Sequence, residues 1–208
     1  MTNESYFQSR VPVFLQLGFR EAAIPKLRNY VDLLWSSNED LNLISRKMTY
    51  ADLIDNHVID CLLPLKSFPG QVKKAADFGS GGGLPGVIYA IQFPHVHFQL
   101  FEKSVRKQEF LNKCNTITKN FEVCGIIPNK PDAVDLIIAR GFKALAEILE
   151  ISRDHYFSKG RYFLLKARAE KIEEELLLAK KKFKDLTASK ILLRSPVLDV
   201  ERHLVLIN

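Results

Sequence analysis

A glycine-rich segment at residues 77–86, Asp-Phe-Gly-Ser-Gly-Gly-Gly-Leu-Pro-Gly, holds the residues best suited to binding a ligand. Gly79, Gly81 and Gly83 have no Cβ, so the backbone can turn sharply there and lie close to a bound molecule. Pro85 suits the first turn of a following helix, whose N-terminus presents free N–H groups to an anion. The segment therefore predicts a ligand-binding loop between a strand and a helix.

Two classes of ligand fit the spacing of this glycine loop. The pattern Asp-x-Gly-x-Gly-x-Gly, which begins at Asp77, is typical of the methionine end of an S-adenosylmethionine site. The overlapping Gly-x-Gly-x-x-Gly, which begins at Gly81, is the dinucleotide fingerprint. Asp77 favours the first class, because its carboxylate could accept a hydrogen bond from a ligand ammonium group or order the loop. Glu102 ends the next predicted strand and could accept both ribose hydroxyls, which indicates a nucleoside in either case.

Other polar residues with possible roles lie at predicted strand ends or on one predicted helix. Arg140 and Lys166 end consecutive apolar strands, at the edge where parallel sheets bind ligands. The Arg140 guanidinium could bridge a phosphate or a ligand carboxylate, and Lys166 could contact a phosphate. Either residue could instead face solvent. His57 and Asp60 are three apart and share a helix face, where a structural His–Asp hydrogen bond is as good an explanation as a place at the pocket rim.

The elements that position these residues alternate between strand and helix. Strands are predicted at residues 73–78, 96–101, 121–126, 134–139, 161–166, 191–197 and 203–207, and helices at 104–119, 142–152 and 167–186. This alternation predicts an α/β fold with a mostly parallel seven-stranded sheet and helices on both faces. A short turn joins the last two strands, so we expect that pair to be antiparallel.

The first third of the chain is predicted to be helical. Leu27, Tyr30, Val31 and Leu34 follow the spacing of an amphipathic helix, and a second helix is expected at about residues 50–63. We expect one domain over residues 1–208, with a helical N-terminal extension at 1–65 and a Rossmann-like core at 66–208.

Composition and charge limit the kinds of partner. The net charge of +6 permits nucleic acid as a partner without requiring it. The three cysteines, Cys61, Cys114 and Cys124, are odd in number and show no metal-ligand spacing, which argues against disulfides and zinc and favours a reducing cytoplasm. No apolar stretch approaches the ~20 residues that span a bilayer. We expect a cytoplasmic protein, monomeric, without metal or membrane segment.

Several segments together resemble one family. They are Asn42-Leu-Ile-Ser, His57-Val-Ile-Asp-Cys61, the glycine loop with its Gly-Leu-Pro-Gly ending, Arg106-Lys107 with Phe110-Leu111, Asp135-Leu-Ile-Ile-Ala-Arg140, and Gly160 with Lys166. Across about residues 27–208 the chain is similar to the ribosomal small-subunit methyltransferase G family, also called glucose-inhibited division protein B.

The resemblance implies a Rossmann-like class I fold and transfer of a methyl group from S-adenosylmethionine to N7 of a guanine in the decoding-region loop of 16S ribosomal RNA, free or within the small subunit. Guanine N7 already exposes a lone pair, so no general base is needed. The predicted site residues are Arg140, Lys166 and His57 on the catalytic side, and Asp77, Gly79, Gly81, Gly83, Leu84, Glu102 and Arg140 around the cofactor.

The resemblance is incomplete after the third strand. Family members carry an Arg-x-Glu-type segment there that holds the adenine, whereas this chain has only the short run 127–133. A link that crosses three strand spacings must cover ~14 Å and return along a strand of ~17 Å, whereas seven extended residues reach only ~23–25 Å. We therefore expect no helix in the link, a frayed third strand and weaker cofactor binding.

Other classes of function remain open at the level of the sequence. The overlapping glycine fingerprint allows an NAD(P)-dependent oxidoreductase, which thermal stabilisation by NAD would reveal. The short adenine segment allows a non-catalytic RNA-binding or ribosome-assembly factor on a methyltransferase scaffold. A small-molecule methyltransferase is also compatible, because a fold does not determine a substrate.

Overall fold

One seven-stranded sheet forms the centre of the computed structural model, which describes residues 1–129 and 131–208. Its strands are β1 Lys74–Phe78, β2 His97–Phe101, β3 Phe121–Cys124, β4 Leu136–Arg140, β5 Arg161–Lys166, β6 Ala188–Arg194 and β7 Glu201–Ile207. Their order is β3-β2-β1-β4-β5-β7-β6. The first five strands are parallel, and β7 runs antiparallel to both β5 and β6. The predicted fold class is therefore confirmed.

Helices cover both faces of the sheet. They are α1 Asn3–Gln16, α2 Ile24–Leu41, α3 Tyr50–Leu53, α4 Ile59–Leu62, α5 Gly86–Gln92, α6 Val105–Cys114, α7 Leu145–Ile151, α8 Arg153–Phe157 and α9 Ala169–Lys182. A π-helical turn, Ile54–Val58, joins α3 to α4. The second predicted helix is therefore three segments, and the one predicted at 142–152 begins at Leu145 and continues as α8 after a break at Ser152.

Side chains that alternate along the central strands enter two separate apolar clusters. Leu136 and Ile138 of β4 belong to a cluster shared with α1, α2, α5 and α6, whereas Ile137 and Ala139 belong to one shared with α7 and α9. A strand buried on both faces carries a nearly continuous apolar run, which explains why the central strands could be predicted from the sequence.

The N-terminal helices contribute to the first of these clusters. Phe7 and Phe14 of α1 are completely buried and their rings meet edge to face at 5.4 Å. The sequence pattern placed no individual helix at residues 3–16 within the predicted helical region, because α1 has only these two buried apolar positions and contains Pro12. α1 to α4 all precede β1 in the chain.

The link from β3 to β4 crosses two strands, β2 and β1. Its described residues, 125–129 and 131–135, contain no helix, and β3 ends at Cys124 instead of residue 126, as the length of the link predicts. Lys130, within the run 127–133, lies outside the described residues. A cavity of about 560 Å³ remains between the link and the sheet, lined in part by Pro131, Phe78 and Ile137.

Within the described part of the chain, no helix has both the length and the apolar character needed to cross a membrane.

Candidate active site

The glycine loop connects β1 to α5 and has three glycines in left-handed conformation. The φ angles of Gly79, Gly81 and Gly83 are +77°, +57° and +85°. A Cβ on Gly79 would lie 2.4 Å from the ring of Phe142, and one on Gly83 would lie 2.5 Å from the side chain of Val87. A Cβ on Gly81 would have only the carbonyl oxygen of Gly79 nearby, at 3.8 Å. Gly79 and Gly83 are therefore needed for packing within the protein, and Gly81 adjoins open space that a ligand can fill.

Two buried carboxylates hold this loop in place. Asp77 is 1 % exposed, and its Oδ2 accepts the N–H of Gly86 at 3.1 Å. Glu102 is 8 % exposed; its Oε2 accepts the N–H of Gly81 at 3.0 Å and its Oε1 accepts the N–H of Ser104 at 2.8 Å. Of the two roles considered for Asp77, ordering the loop is the one that these contacts show. Glu102 does the same from the end of β2.

Both carboxylates also keep acceptor capacity that a nucleoside ligand can use. Oδ1 of Asp77 is buried without a hydrogen-bond partner among the described residues, and burial raises the pKa of this carboxyl to about 6. A buried acceptor without a partner is uncommon and suggests a missing donor. Each oxygen of Glu102 accepts one bond from the protein and can accept a second. These residues therefore fit a nucleoside with a cationic tail.

Arg140, at the end of β4, lies in a second polar group that we call the Arg140 cluster, made of His57, Asp60, Arg140 and Arg202. Nη1 of Arg140 donates to Oδ2 of Asp60 at 2.9 Å, and Nη2 meets Nδ1 of His57 at 3.0 Å. Arg202, at the start of β7, donates from Nε to Oδ1 of Asp60 at 2.6 Å. Two guanidinium groups thus share one carboxylate, which leaves the cluster with a net positive charge.

The protonation state of His57 follows from its neighbours. Arg140 can only donate, so Nδ1 of His57 is the acceptor and the proton of the neutral ring is on Nε2, which lies 3.1 Å from Sδ of Met48. Burial, and then the positive charge of Arg140, lower the pKa of His57 to about 4. The imidazole is therefore neutral at physiological pH. Nε of Arg140 is buried and lacks a partner within the described chain.

The π turn and the antiparallel β7 strand bring this cluster together. The turn, Ile54–Val58, contains His57, and Asp60 follows in α4, so both side chains reach Arg140. Arg202 was missed in the sequence analysis, which began the last strand at His203. The predicted antiparallel pair was β6 with β7, and it gave no signal for Arg202. The structure also pairs β7 with β5, so the first residues of β7 lie beside the end of β5, where His203 pairs with Lys166.

Lys166 lies on the same rim but is engaged with protein groups. Its Nζ donates to Oε2 of Glu175 at 2.7 Å and to the carbonyl of Lys143 at 2.8 Å. Glu175 also accepts the N–H of Leu145 at 3.0 Å. Lys166 therefore ties β5 to α7 and α9, and its contact with RNA phosphate stays a prediction.

A cavity of about 940 Å³ opens at this edge of the sheet. Arg140, Lys166 and Arg202 line it together with Phe142, whose ring packs against Gly79. The glycine loop and the cavity are therefore adjacent, with Phe142 between them. No cluster of side chains suited to a metal ion occurs among the residues that the structure describes.

Three residues of the segments that carry the family resemblance lie on or at the end of neighbouring helices. Asn42 is the left-handed C-cap of α2, with φ of 50°, and its N–H bonds to the carbonyl of Asn38 at 3.0 Å. Arg106 is exposed and reaches the carbonyl of Asp40 at 3.4 Å, and Lys107 is half-buried on α6. Asn42 is thus a helix cap.

Comparisons with known proteins agree with this geometry. The N-terminal domain of human METTL16, solved with SAH, superposes with a TM-score of 0.56 at 12 % identity, covering 100 % of this chain and 94 % of that one. This likeness shows the fold of the class I, S-adenosylmethionine-dependent methyltransferases.

The sequence comparisons identify the family within that class. The model for "rRNA small subunit methyltransferase G" matches residues 23–205, and the chain belongs to this family. "Ribosomal RNA small subunit methyltransferase G 1" of Bdellovibrio bacteriovorus is 65 % identical over 202 residues, covering 97 % of this chain and 98 % of the relative. The protein of the same family from Brachyspira hyodysenteriae is 34 % identical, covering 88 % and 89 %. The predicted family is confirmed, and the oxidoreductase alternative is not favoured.

Proposed function

We propose that this chain transfers the methyl group of S-adenosylmethionine to N7 of a guanine in the decoding-region loop of 16S ribosomal RNA. The observation that carries the choice of acceptor atom is the hydrogen bond between Arg140 and His57. It occupies the lone pair of the imidazole, whose other nitrogen carries the proton, so His57 is unable to accept a proton from a substrate. Guanine N7 has a free lone pair and no proton to lose, and it therefore suits this site.

Two carboxylates on the same rim are occupied by protein donors as well. Asp60 accepts hydrogen bonds from Arg140 and Arg202, and Glu175 accepts from Lys166 and the N–H of Leu145. Their contacts position other protein groups. The site therefore acts by placement, and its task is to hold nucleophile and methyl group ~3 Å apart in line.

The glycine loop would hold the cofactor, which supplies a methyl group on positively charged sulfur. Gly81 leaves room for the ligand beside the backbone, and the oxygens of Glu102 would accept the ribose hydroxyls. Asp77, whose Oδ1 has no partner among the described residues, would be the acceptor for the ammonium group. Gly79, Gly83 and the buried Leu84 maintain the shape of the loop.

The Arg140 cluster would hold the RNA. Its two guanidinium groups share only Asp60, and the remaining positive charge favours the polyanionic backbone. The partly exposed fork of Arg140 would contact either guanine O6 or a phosphate of the target nucleotide. Lys166 contacts a neighbouring phosphate by exchanging its bond with the Lys143 carbonyl. We further propose that the protein works as a monomer in the cytoplasm, which light scattering and cell fractionation would check.

Methyl transfer to purified RNA tests this function. Small subunits and naked 16S RNA from a strain that lacks the enzyme are incubated with labelled donor, and N7-methylguanine is mapped by borohydride and aniline cleavage. We expect one cleaved guanine with the wild-type protein and none with Gly81→Val. Label on an exocyclic amine or a ribose would refute the choice of N7, and RNA binding without label would support the non-catalytic alternative.

A further inference from the structure

The first helix is tied to the π turn by a compact polar contact. Nε and Nη2 of Arg10 donate to Oδ1 and Oδ2 of Asp55, each at 2.9 Å, so the pair is bidentate. The hydroxyl of Tyr6 donates to the same carboxylate at 2.6 Å, and Nη2 of Arg10 also bonds to the oxygen of Tyr6 at 2.7 Å. Asp55 is buried, which makes each of these bonds sensitive to geometry.

The same turn carries His57 only two residues further along. Asp55 contacts α1 from one side of the turn, and His57 contacts Arg140 through Nδ1 at 3.0 Å. Ile54 and Val58 at the two ends of the turn are completely buried and anchor it in the core. Asp55 and His57 therefore belong to one short turn between these two anchors, where the contacts of both side chains help to set its conformation.

We propose that Arg10 is a positioning residue for methyl transfer, because its clamp on Asp55 fixes the π turn and so holds His57 against Arg140. α1 ends before residue 23, where the match to the family model begins, so this clamp is supplied by a part of the chain outside that match. The kinetic part of the test rests on the proposed function, whereas the spectroscopic part is independent of it.

Arg10→Gln removes the charge and the bidentate contact but keeps a polar side chain of similar length. The matched control is Glu4→Gln, which removes the other ion pair of α1, between Glu4 and Arg28, without touching the π turn. Arg10→Lys restores the charge and one donor and serves as the conservative rescue. Circular dichroism and thermal melting establish that each variant is folded.

The first measurement is steady-state methylation of small subunits. We expect Arg10→Gln to lower kcat about tenfold, because small displacements of a positioning group slow the reaction strongly, while the dissociation constant of S-adenosylhomocysteine changes less than about twofold. Arg10→Lys should recover part of the loss, and Glu4→Gln should keep wild-type kcat. In the background of His57→Gln, Arg10→Gln should have no further effect on kcat.

The second measurement is NMR of the His57 imidazole nitrogens. In the wild type we expect a ring with its proton on Nε2 and a pKa of about 4. Asp60, Arg140, Arg202 and Asp52 are the charged groups that influence it. In Arg10→Gln the two tautomers should mix and the pKa should rise towards 6.5, with no change in Glu4→Gln.

If Arg10→Gln has the kcat of the wild type and an unchanged His57 resonance, the proposal that Arg10 positions His57 is refuted. A wild-type protein that transfers no methyl group would refute the proposed function alone, because the resonance would still report on the clamp. If Arg10→Gln does not fold, Tyr6→Phe removes one bond to Asp55 and should show the same changes in smaller amount.

Discussion

The glycine loop and the Arg140 cluster are neighbours at one edge of the sheet but are built in different ways. The loop is held by residues close in sequence, with Asp77 and Glu102 accepting backbone N–H groups of Gly86 and Gly81. The cluster joins side chains that are far apart in the chain; Arg140 is 80 residues from Asp60, and Arg202 is 142 residues from it. In the proposed function, cofactor binding thus depends on local geometry, and placement of the RNA depends on the whole fold.

The largest effect is expected from Gly81→Val in the loop. The side chain would occupy the open space beside Gly81 and strain a backbone with φ of +57°, so cofactor affinity should fall more than about 100-fold. Gly18→Val is the matched control, since Gly18 has φ of +97° and a Cβ there would meet Lys66 and no residue of the loop. Calorimetry with S-adenosylhomocysteine measures both variants, and unchanged binding by Gly81→Val would refute the placement of the cofactor.

Substitution of Arg140 should affect the Arg140 cluster without affecting the glycine loop. Arg140→Ala should lower methylation about 100-fold by loss of preorganised donors, while cofactor affinity changes little. Stability should fall by only about 1–3 kcal/mol, because Arg202 remains bonded to Asp60. Arg202→Ala provides the comparison, since it removes the other donor of the same carboxylate. Equal methylation by Arg140→Ala and wild type would exclude Arg140 from the site.

Acid pH should affect the two regions in opposite directions. The pKa of His57 is lowered from 6.5 to about 4, so the unfolded chain takes up this proton first, and the contribution of His57 to stability is lost as pH falls from 6.5 through 4. The pKa of Asp77 is raised from 3.8 to about 6, so its contribution is present below 3.8 and is lost as pH rises through 6.

Substitutions at these two positions should therefore change the pH profile with opposite sign. Between pH 4 and 6.5, the free energy of unfolding of His57→Gln should rise less with increasing pH than that of the wild type, or fall more steeply. The free energy of unfolding of Asp77→Asn should rise more with increasing pH than that of the wild type, or fall less steeply. Each change should be on the order of 2 kcal/mol across the window. Urea unfolding at several pH values measures it, and parallel profiles for wild type and both variants would contradict the assignment.

The smallest expected effect concerns how tightly the adenine of the cofactor is bound. Because the link from β3 to β4 is short and its described residues form no helix, we expect the dissociation constant of S-adenosylmethionine to lie about tenfold above the micromolar range. Titration with adenosine alone should give little heat, since the adenine contributes little. A dissociation constant for S-adenosylmethionine in the micromolar range would refute the hypothesis of weaker cofactor binding.

Prediction from the sequence succeeded where a local pattern is sufficient. The bounds of β5 were predicted correctly as 161–166, and β1 and β2 each begin one residue later than predicted. These strands lie in the middle of the sheet and are buried on both faces, so each apolar run begins and ends close to the ends of its strand. Helix ends were less accurate; α6 ends at Cys114, five residues before the predicted end, because propensity alone does not define a helix terminus.

The amino-acid sequence by itself determined the glycine loop, the order of strands and helices, and the family. It also determined that the described part of the link from β3 to β4 has no room for a helix. Each of these depends on neighbouring residues or on chain length. Only the tertiary structure decided that Asp77 and Glu102 brace the loop, that a π turn aims His57 at Arg140, and that Arg202 shares Asp60. The bonds to the loop depend on how β1, β2 and the loop pack, whereas the contacts of Arg140 and Arg202 join side chains that are 80 to 142 residues apart and that meet only when the sheet brings their backbones to one edge.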